Sequence, residues 1–275
     1  MTSPSPNPIA RIANSDAEST VDIAAALLRD ATDGTNLTEA LPVLQKAIRR
    51  WESRSRHDAT CNSVEIDEAE KAERAARALC EVVIAHGLTQ RDEALLLELL
   101  LTTEHMYNPN LFVSSAIALC GKDHDISLAL AVLIDALSAD DPDQCSRVAR
   151  TLDKFTGTPR SVQRNFMAHL DPLLLSAMQA VLTDSLEVVR RSVSRLLATH
   201  HTHRASWSDI AALLDSPDAA VRLGTTQALH SAPLGGQDIS PALPRLRELC
   251  SDTDNDVVRN AQRAIACFEK YPVRL

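Results

Sequence analysis

The 275-residue chain has little glycine and few aromatic side chains. It contains seven Gly, four Phe, two Trp and two Tyr, so aromatic residues make up 3% of the sequence. β-Sandwiches and barrels need turn glycines and strands rich in aromatic and β-branched residues. With 45% hydrophobic and 24% charged residues, the composition is nevertheless that of a globular protein. The sequence therefore predicts a folded protein built mainly of helices.

Export, membrane and metal-binding patterns are also missing. The segment after Met1, Thr-Ser-Pro-Ser-Pro-Asn-Pro, lacks the apolar run of a secretory signal. The most apolar stretch, residues 94–101, is too short to cross a bilayer. The six cysteines form no Cys-x-x-Cys pair. We therefore expect a cytoplasmic protein with reduced cysteines, no membrane association, no metal and no cofactor.

No known catalytic signature occurs in the chain. Glycine-rich phosphate loops, His-Glu-x-x-His and Gly-x-Ser-x-Gly are all absent. The densest cluster of potential ligands is His200, His201 and His203, whose spacing fits no closed zinc site. Histidines at the end of a helix are favoured by its dipole, which explains the cluster without a ligand. We therefore predict that the protein is not an enzyme.

The net charge is −9, but it is unevenly distributed. Residues 1–146 carry 12 basic and 24 acidic side chains, whereas residues 147–204 carry nine basic and four acidic ones. An acidic protein is repelled by bulk nucleic acid and by anionic membranes. The basic segment 147–204 is thus the electrostatic exception in the chain.

A short pattern recurs along the second half of the sequence. An Asp-rich turn is followed by Val-Arg, and the arginine serves as the anchor of each copy. The copies span residues 181–190, 213–222 and 249–259, and residues 137–147 form a weaker one. The anchors Arg147, Arg190, Arg222 and Arg259 are 43, 32 and 37 residues apart, and an insertion at 157–164 accounts for the longest interval. Such a period indicates a repeat architecture.

Each copy predicts two helices. Apolar residues at helical spacing, such as Ile210, Leu213 and Leu214, form the first, and the Asp-rich turn caps the second. Fainter pairs are predicted upstream, where Gly87 and Gly121 are expected to end second helices. Their first and second helices are predicted at 39–51 with 74–83 and at 93–103 with 113–120. This gives about six helical pairs.

The pattern of a Val-Arg pair with an Asp seven residues before its arginine resembles the HEAT repeat, most clearly over residues 173–269 and weakly over 38–156. Residues 186–223 are also similar to leucine-rich variant repeats. The resemblance implies an all-α, right-handed α-α superhelix, a HEAT-like solenoid. We expect one such domain over 9–275, with a capping helix near Val21–Asp30, after a disordered tip at 1–8.

The resemblance also implies roles for individual side chains. In HEAT-type repeats, the Asp and the Arg form a hydrogen-bonded ladder between neighbouring units. The matching positions are Asp140, Arg147, Arg190, Asp215, Arg222, Asp252 and Arg259. Five other arginines are candidates for binding phosphate or an acidic partner surface, with pairing to local carboxylates as the alternative. They are Arg150, Arg191 and Arg195 in second helices and Arg160 and Arg164 in the insertion.

The expected function is non-catalytic protein–protein binding on a curved solenoid surface. The protein would act as a scaffold, adaptor or inhibitor, including a neutralising partner of a toxin or enzyme. The alternative is a DNA-binding or DNA-glycosylase-like HEAT protein that uses the basic 147–204 segment. Bilin lyases with HEAT-like repeats are a weaker analogue. Strongly salt-dependent DNA binding would favour the alternative.

Overall fold

The computed structural model describes residues 8–55, 63–101, 111–122, 124–138, 141–156, 167, 170, 172–184 and 186–271. Within these ranges, every regular element is an α-helix or a short 3-10 turn. The predicted all-α fold of paired helices is therefore confirmed. The chain packs into two compact units, Met1–Ala129 and Leu130–Leu275. The expected single domain over 9–275 stays a prediction.

Unit 1 contains a long helix surrounded by shorter ones. In chain order its helices are α1 (Pro8–Ile12), α2 (Ala17–Thr32), α3 (Leu41–Ser55), α4 (Ser63–Gln90), α5 (Glu93–Leu101) and α6 (Leu111–Gly121). Helix α2 contains the predicted capping helix, and it begins where the Asp16 carboxylate accepts a hydrogen bond from the Ser19 amide at 2.7 Å. Of the predicted disordered tip, residues 1–7 lie outside the described ranges and Pro8 begins α1.

Helix α4 carries the core of unit 1 and packs against α2, α3 and α6. Its alanines and small apolar residues are buried, which lets the neighbouring helices approach closely. Cys80 of α4 and Cys120 of α6 are both free thiols with no exposed surface. Burial in this apolar environment raises the pKa of the Cys80 thiol. Both cysteines are thus packing residues.

Gly87 does not end a helix, contrary to the prediction. Helix α4 continues past it to Gln90. A Cβ atom at Gly87 would lie 2.9 Å from Cδ2 of Leu96 in α5, so the glycine permits close contact between the two helices. Gly121, by contrast, is the last residue of α6.

Unit 2 contains the clearest helical pairs. Helix α7 (Ser127–Asp135) includes the boundary between the units, and it is followed by α8 (Pro142–Thr156), α9 (Pro172–Asp184), α10 (Glu187–Arg204), α11 (Trp207–Leu214), α12 (Ala219–Ser231), α13 (Leu243–Leu249) and α14 (Asn255–Lys270). We call α8, α10, α12 and α14 the second helices, and α9, α11 and α13 the first helices. Neighbouring second helices pack directly against one another in chain order.

Aspartates in the inter-helix turns determine where second helices begin. The Asp218 carboxylate accepts a hydrogen bond from the amide of Ala220 at 2.7 Å and caps α12. The Asp254 carboxylate accepts from the amides of Asp256 and Val257 at 2.8 and 3.0 Å and caps α14. The acidic turns are therefore capping sequences, as expected for donors that have no partner within the helix.

The helical pairs are held together by an apolar core. Ile210 and Leu214 of α11 and Leu246 and Leu249 of α13 are at most 3% exposed. They pack with small and branched residues of α12 and α14, including Val257, Ala261 and Ala264. The period of about 3.6 residues between apolar positions aligns them on the inner face of each helix.

Candidate functional site

Arg222 forms the best-defined polar contact between two repeats. Its Nε and Nη2 atoms donate to Oδ2 and Oδ1 of Asp252 at 2.7 and 2.8 Å. Its Nη1 donates to the carbonyl oxygens of Ser216 and Pro217 at 2.8 and 3.0 Å. Arg222 is 9% exposed, so a single buried guanidinium joins the turn before α12 to the turn before α14. Asp252 holds the pKa of this guanidinium above its usual value, and Arg222 lowers the pKa of Asp252.

Arg190 forms the equivalent contact one repeat earlier, but with another aspartate. Arg190 and Arg222 are each the fourth residue of their helices, α10 and α12. An ion pair of 2.6 Å joins Nε of Arg190 to Oδ2 of Asp218, the N-cap of α12. Counted from the N-cap, Ser216 occupies the position of Asp252, so this turn has no carboxylate there. The carboxylate of the N-cap residue Asp218 pairs with the arginine instead.

The remaining predicted ladder residues are not brought together. Asp215 pairs with Arg245 of α13 at 2.6 Å, not with an anchor arginine. Arg259 is the fifth residue of α14, one position beyond the place of Arg222 in α12, and pairs within its own helix with Asp256 at 3.0 Å. Arg147 is half-buried in α8, and its predicted partner Asp140 lies outside the described residues.

Candidate arginines outside the ladder recur at one position of the second helices, which the sequence motif did not reveal. The ninth residues of the four second helices, counted from each helix start, are Arg150, Arg195, Gln227 and Arg263. We call these four residues the strip. Arg150 and Arg263 are exposed, whereas Arg195 and Gln227 are half-buried. Between Ala220 and Leu229, Gln227 is the only residue of α12 that is not buried.

Arg263 and the nearby His230 are functional candidates that the sequence analysis missed. Burial lowers the pKa of His230, and the charges of Arg263 and Arg195 lower it further. Basic groups on α10 and α14 therefore act on one imidazole of α12. A count of nine residues from each helix start could have found Arg263, but the Val-Arg anchor of α14 is displaced by one residue and obscures that register.

Arg191, another candidate arginine, is half-buried and is the fifth residue of α10. No ion pair involves its side chain among the residues that the structure describes. Arg150 donates from Nε to the Ser146 carbonyl of its own helix at 3.1 Å. Arg160 and Arg164 lie outside the described residues.

The second helices are basic as a group. Together they carry eleven Lys and Arg, of which three are in α8, four in α10, one in α12 and three in α14. Against these they carry five Asp and Glu, two each in α8 and α14 and one in α10, with none in α12. Among the described helices of unit 2, basic residues are thus concentrated on the second helices, since of the first helices only α13 contains any, Arg245 and Arg247.

A small polar niche adjoins Arg195. Its other polar lining residues are Thr156, Thr199, Thr202, Ser231 and Gln237. Each of the four hydroxyls donates to a backbone carbonyl of its own helix, at distances of 2.6 to 3.3 Å. The donors that remain for a guest group are therefore the guanidinium of Arg195 and the amide of Gln237.

The predicted histidine cluster lies at the end of α10. His200 and His201 are 5% and 9% exposed, and Nδ1 of His201 lies 3.4 Å from Oδ2 of Asp209. Burial lowers the pKa of His200 to about 4, with further lowering by the neighbouring basic groups. Burial also lowers the pKa of His201, although Asp209 opposes that shift. His203 is half-buried in the same last turn.

The described side chains contain no metal site. No group of three His, Cys, Asp or Glu in that part of the chain is arranged to hold an ion. None of the helices in the described ranges has the length and apolar character that a bilayer crossing requires.

A larger groove of about 550 Å³ lies between the first helices α9 and α11. Leu197 and Val221, both buried, contribute to its apolar lining, and Asp215 and Asp218 contribute to its polar part. Both of these carboxylates already pair with arginines, Arg245 and Arg190. Asp209, a third carboxylate of the lining, lies 3.4 Å from Nδ1 of His201.

Several solved structures are similar to the chain at low sequence identity. An engineered protein is 15% identical with a TM-score of 0.39, covering 96% of this chain and 97% of its own. A designed armadillo repeat protein in complex with the peptide (KR)4 is also 15% identical with a TM-score of 0.39, covering 96% of this chain and 100% of its own. A second engineered protein is 19% identical with a TM-score of 0.38, covering 95% of this chain and 73% of its own. No curated protein matches the sequence.

The family comparison agrees with the repeats seen in the structure. Residues 174–266 match the family model for HEAT repeats. This range contains α10, α11, α12 and α13 and most of α9 and α14, together with the Arg222–Asp252 pair between two units. Residues 174–266 are therefore similar to HEAT repeats, and the helical pairs of this range agree with that similarity.

Proposed function

We propose that this protein is a non-catalytic scaffold that binds another protein on the second helices of unit 2. One observation carries the proposal. The basic residues Arg150, Arg195 and Arg263 recur at one helical position and do not take part in the Arg190 and Arg222 contacts that join the repeats. Arg195 makes a long contact with Asp153 of α8, at 3.8 Å between Nη1 and Oδ1, and no ion pair of Arg150 or Arg263 occurs among the described residues. The charges of these three arginines are therefore largely available to a partner.

The non-catalytic part of the proposal is supported by the state of the reactive side chains. Cys80, Cys120 and Cys145 are buried, and a buried thiol with a raised pKa, such as that of Cys80, is a poor nucleophile. His200 and His201 are buried with lowered pKa values at the end of α10. These groups are accounted for by packing. All five described cysteines are free thiols, which suits the reducing cytoplasm that we propose as the location.

DNA is the competing ligand, since phosphates also attract guanidinium groups. Two observations favour protein. The whole chain carries a net charge of −9, which opposes association with a polyanion. The strip supplies only three arginines, whereas tight DNA-binding proteins make roughly six to ten phosphate contacts.

A capture experiment tests the proposal. The tagged full-length chain is incubated with nuclease-treated lysate, and bound proteins are quantified by mass spectrometry. We expect a partner at near-equal stoichiometry, which the double variant Arg150→Glu/Arg263→Glu, at two exposed strip positions, loses. The control is Arg247→Glu on the first helix α13, which reverses an exposed charge of the same type and should retain the partner.

Two outcomes would contradict the proposal. If both variants retain the partner equally, the second helices do not form the binding face. If nuclease treatment abolishes every captured protein and duplex DNA binds the purified chain with a steep salt dependence, nucleic acid is the ligand. Circular dichroism melts of both variants show whether either substitution unfolds the protein.

A further inference from the structure

The arrangement of the strip points to a specific kind of ligand, on the condition that the proposed function holds. We infer that the strip binds an extended acidic segment of the partner, with carboxylates at every third residue. Arg150, Arg195 and Arg263 would each pair with one carboxylate, and Gln227 occupies the remaining position of the series.

The spacing follows from the geometry of packed helices. Each strip residue is the ninth of its helix, and consecutive second helices pack side by side in unit 2. Axes of packed helices are about 8–10 Å apart. A peptide in the extended polyproline II conformation has three residues per turn and advances about 3.1 Å per residue, so every third side chain lies on the same face about 9 Å further along. A run of about ten residues would therefore reach all four strip positions.

The charges of the strip are only weakly neutralised within the protein. The nearest carboxylate to Arg195 is that of Asp153, at 3.8 Å between Nη1 and Oδ1, which is longer than a hydrogen bond. Asp153 directs its other oxygen to the Ser192 hydroxyl, 2.9 Å away. Arg150 uses Nε within its own helix, which leaves its two Nη atoms for a partner. Helix α12 contains no acidic residue that would repel a carboxylate.

The polar niche beside Arg195 adds further polar groups at one position of the strip. Arg195 of α10 and Gln237 both line this niche, whose volume of about 20 Å³ is that of a single water site. A carboxylate of the bound segment would accept hydrogen bonds from the Arg195 guanidinium, and one of its oxygens would occupy the niche.

Gln227 allows a gain-of-function test. Replacing it with arginine would complete a continuous row of four arginines, and a gain in affinity cannot result from misfolding. The matched control is Gln179→Arg on α9, which adds the same charge at an exposed position of a first helix. The probe is a fluorescein-labelled peptide of four Glu-Gly-Ser repeats, and binding to the full chain is measured by anisotropy. The competing probes are a composition-matched peptide with contiguous glutamates and a short DNA duplex.

We expect Gln227→Arg to tighten binding of the spaced peptide about fivefold, which corresponds to roughly 1 kcal/mol. Gln179→Arg should change the affinity less than about twofold, because an unpaired surface charge in salt contributes little. Arg263→Gln should weaken binding, and the contiguous peptide should bind less tightly than the spaced one.

Three outcomes would overturn the inference. The first is an equal effect of Gln227→Arg and Gln179→Arg, which would indicate attraction to total charge only. The second is tighter binding of the duplex than of either peptide. The third is a captured partner that the spaced peptide does not displace, in which case the scaffold function stands and the acidic-segment inference fails.

Discussion

At Arg222, one side chain satisfies polar groups in two different turns of unit 2. Arg222 lies on α12 and is buried. Its guanidinium donates hydrogen bonds to two carbonyl oxygens of the turn before α12 and to the carboxylate of Asp252. A lysine could not make this set of contacts, because it lacks the planar fork of five donors. The Val-Arg motif is thus a requirement of geometry as well as of charge.

Arg222→Ala should therefore destabilise the protein by about 3 kcal/mol, because the carboxylate of Asp252 would remain buried without its partner. Arg259→Ala, which removes a motif arginine from an exposed pair, should change the free energy of unfolding by less than about 0.5 kcal/mol. Urea unfolding of both variants measures the difference. Equal losses would show that Arg222 has no special structural role.

Gly224 shows a second constraint at a single residue. A Cβ atom there would lie 2.1 Å from the Arg191 carbonyl oxygen and 2.1 Å from Oγ of Ser194, so α12 rests directly on α10. We expect Gly224→Ala to lower the free energy of unfolding by about 2 kcal/mol, after the gain in helix propensity is subtracted.

Gly87→Ala is the matched control, because its Cβ would meet side-chain atoms of α5 and no backbone, with Cδ2 and Cγ of Leu96 at 2.9 and 3.1 Å and Cδ2 of Leu95 at 3.7 Å. Here the better helix propensity of alanine should offset the contact and leave the stability nearly unchanged. Thermal unfolding of the two variants tests the distinction. A larger loss for Gly87→Ala would contradict the close packing of α10 and α12.

The buried histidines predict a pH dependence of stability. The pKa of His200 is lowered to about 4 from 6.5, and burial lowers the pKa values of His201 and His230 in the same direction. Below pH 6.5 the unfolded chain therefore binds protons that the folded chain does not. The free energy of unfolding should fall as the pH decreases from about 6.5 to 4, with up to about 3 kcal/mol from His200.

His200→Gln should flatten this decline, because glutamine does not titrate. His124→Gln, at a half-exposed histidine of unit 1, is the control and should leave the slope unchanged. Denaturant unfolding at several pH values between 7 and 4 provides the measurement. A slope that is the same in all three proteins would show that His200 is not desolvated in the folded state.

At the scale of elements, the starts of the second helices could be predicted from the sequence, but the alignment of equivalent residues between these helices could not. Aspartates in the turns predicted the caps of α12 and α14, because short polar side chains satisfy the first free amides. The strip was hidden because the motif arginine is the fourth residue of α10 and α12 but the fifth of α14. Only the helix boundaries reveal that Arg263 corresponds to Arg195.

The caps themselves should differ in strength. Asp218 caps α12 and also pairs with Arg190, whereas the Asp254 carboxylate caps α14 through two amides of its own helix. Asp254→Ala should therefore cost about 1 kcal/mol of stability and Asp218→Ala about 2 kcal/mol, the excess arising from loss of the Arg190–Asp218 ion pair. A double mutant cycle between Asp218→Ala and Arg190→Ala measures that excess. A coupling near zero would mean that Arg190 does not join the two repeats.

The lengths of elements were less predictable where packing overrides local signals. Helix α4 extends over 28 residues and passes through Gly87, although glycine commonly ends helices. Its burial against three neighbouring helices compensates for the poor helix propensity of that residue. The sequence does not reveal contacts between helices, so the prediction that this helix ends at Gly87 placed its end too early.

At the scale of the whole molecule, the all-α class followed from scarce glycine and aromatic residues and from the repeated Val-Arg turn. The arrangement of basic residues on the folded protein could be determined only from the structure. The basic segment 147–204 stood out in the sequence, but the basic residues of the strip extend beyond it to Arg263 and are separated by acidic turns along the chain. Folding collects them because second helices occupy the same layer of the repeats.

The central claim is that a partner protein docks on the second helices of unit 2, and site-specific photo-crosslinking tests it most directly. A benzoylphenylalanine is introduced at Gln227 on α12 or, as the control, at Gln179 on α9, and the protein is irradiated with the captured partner. The account predicts a covalent adduct of the two proteins from position 227 and none from position 179. Crosslinking from position 179 alone would place the partner on the first helices and contradict the claim.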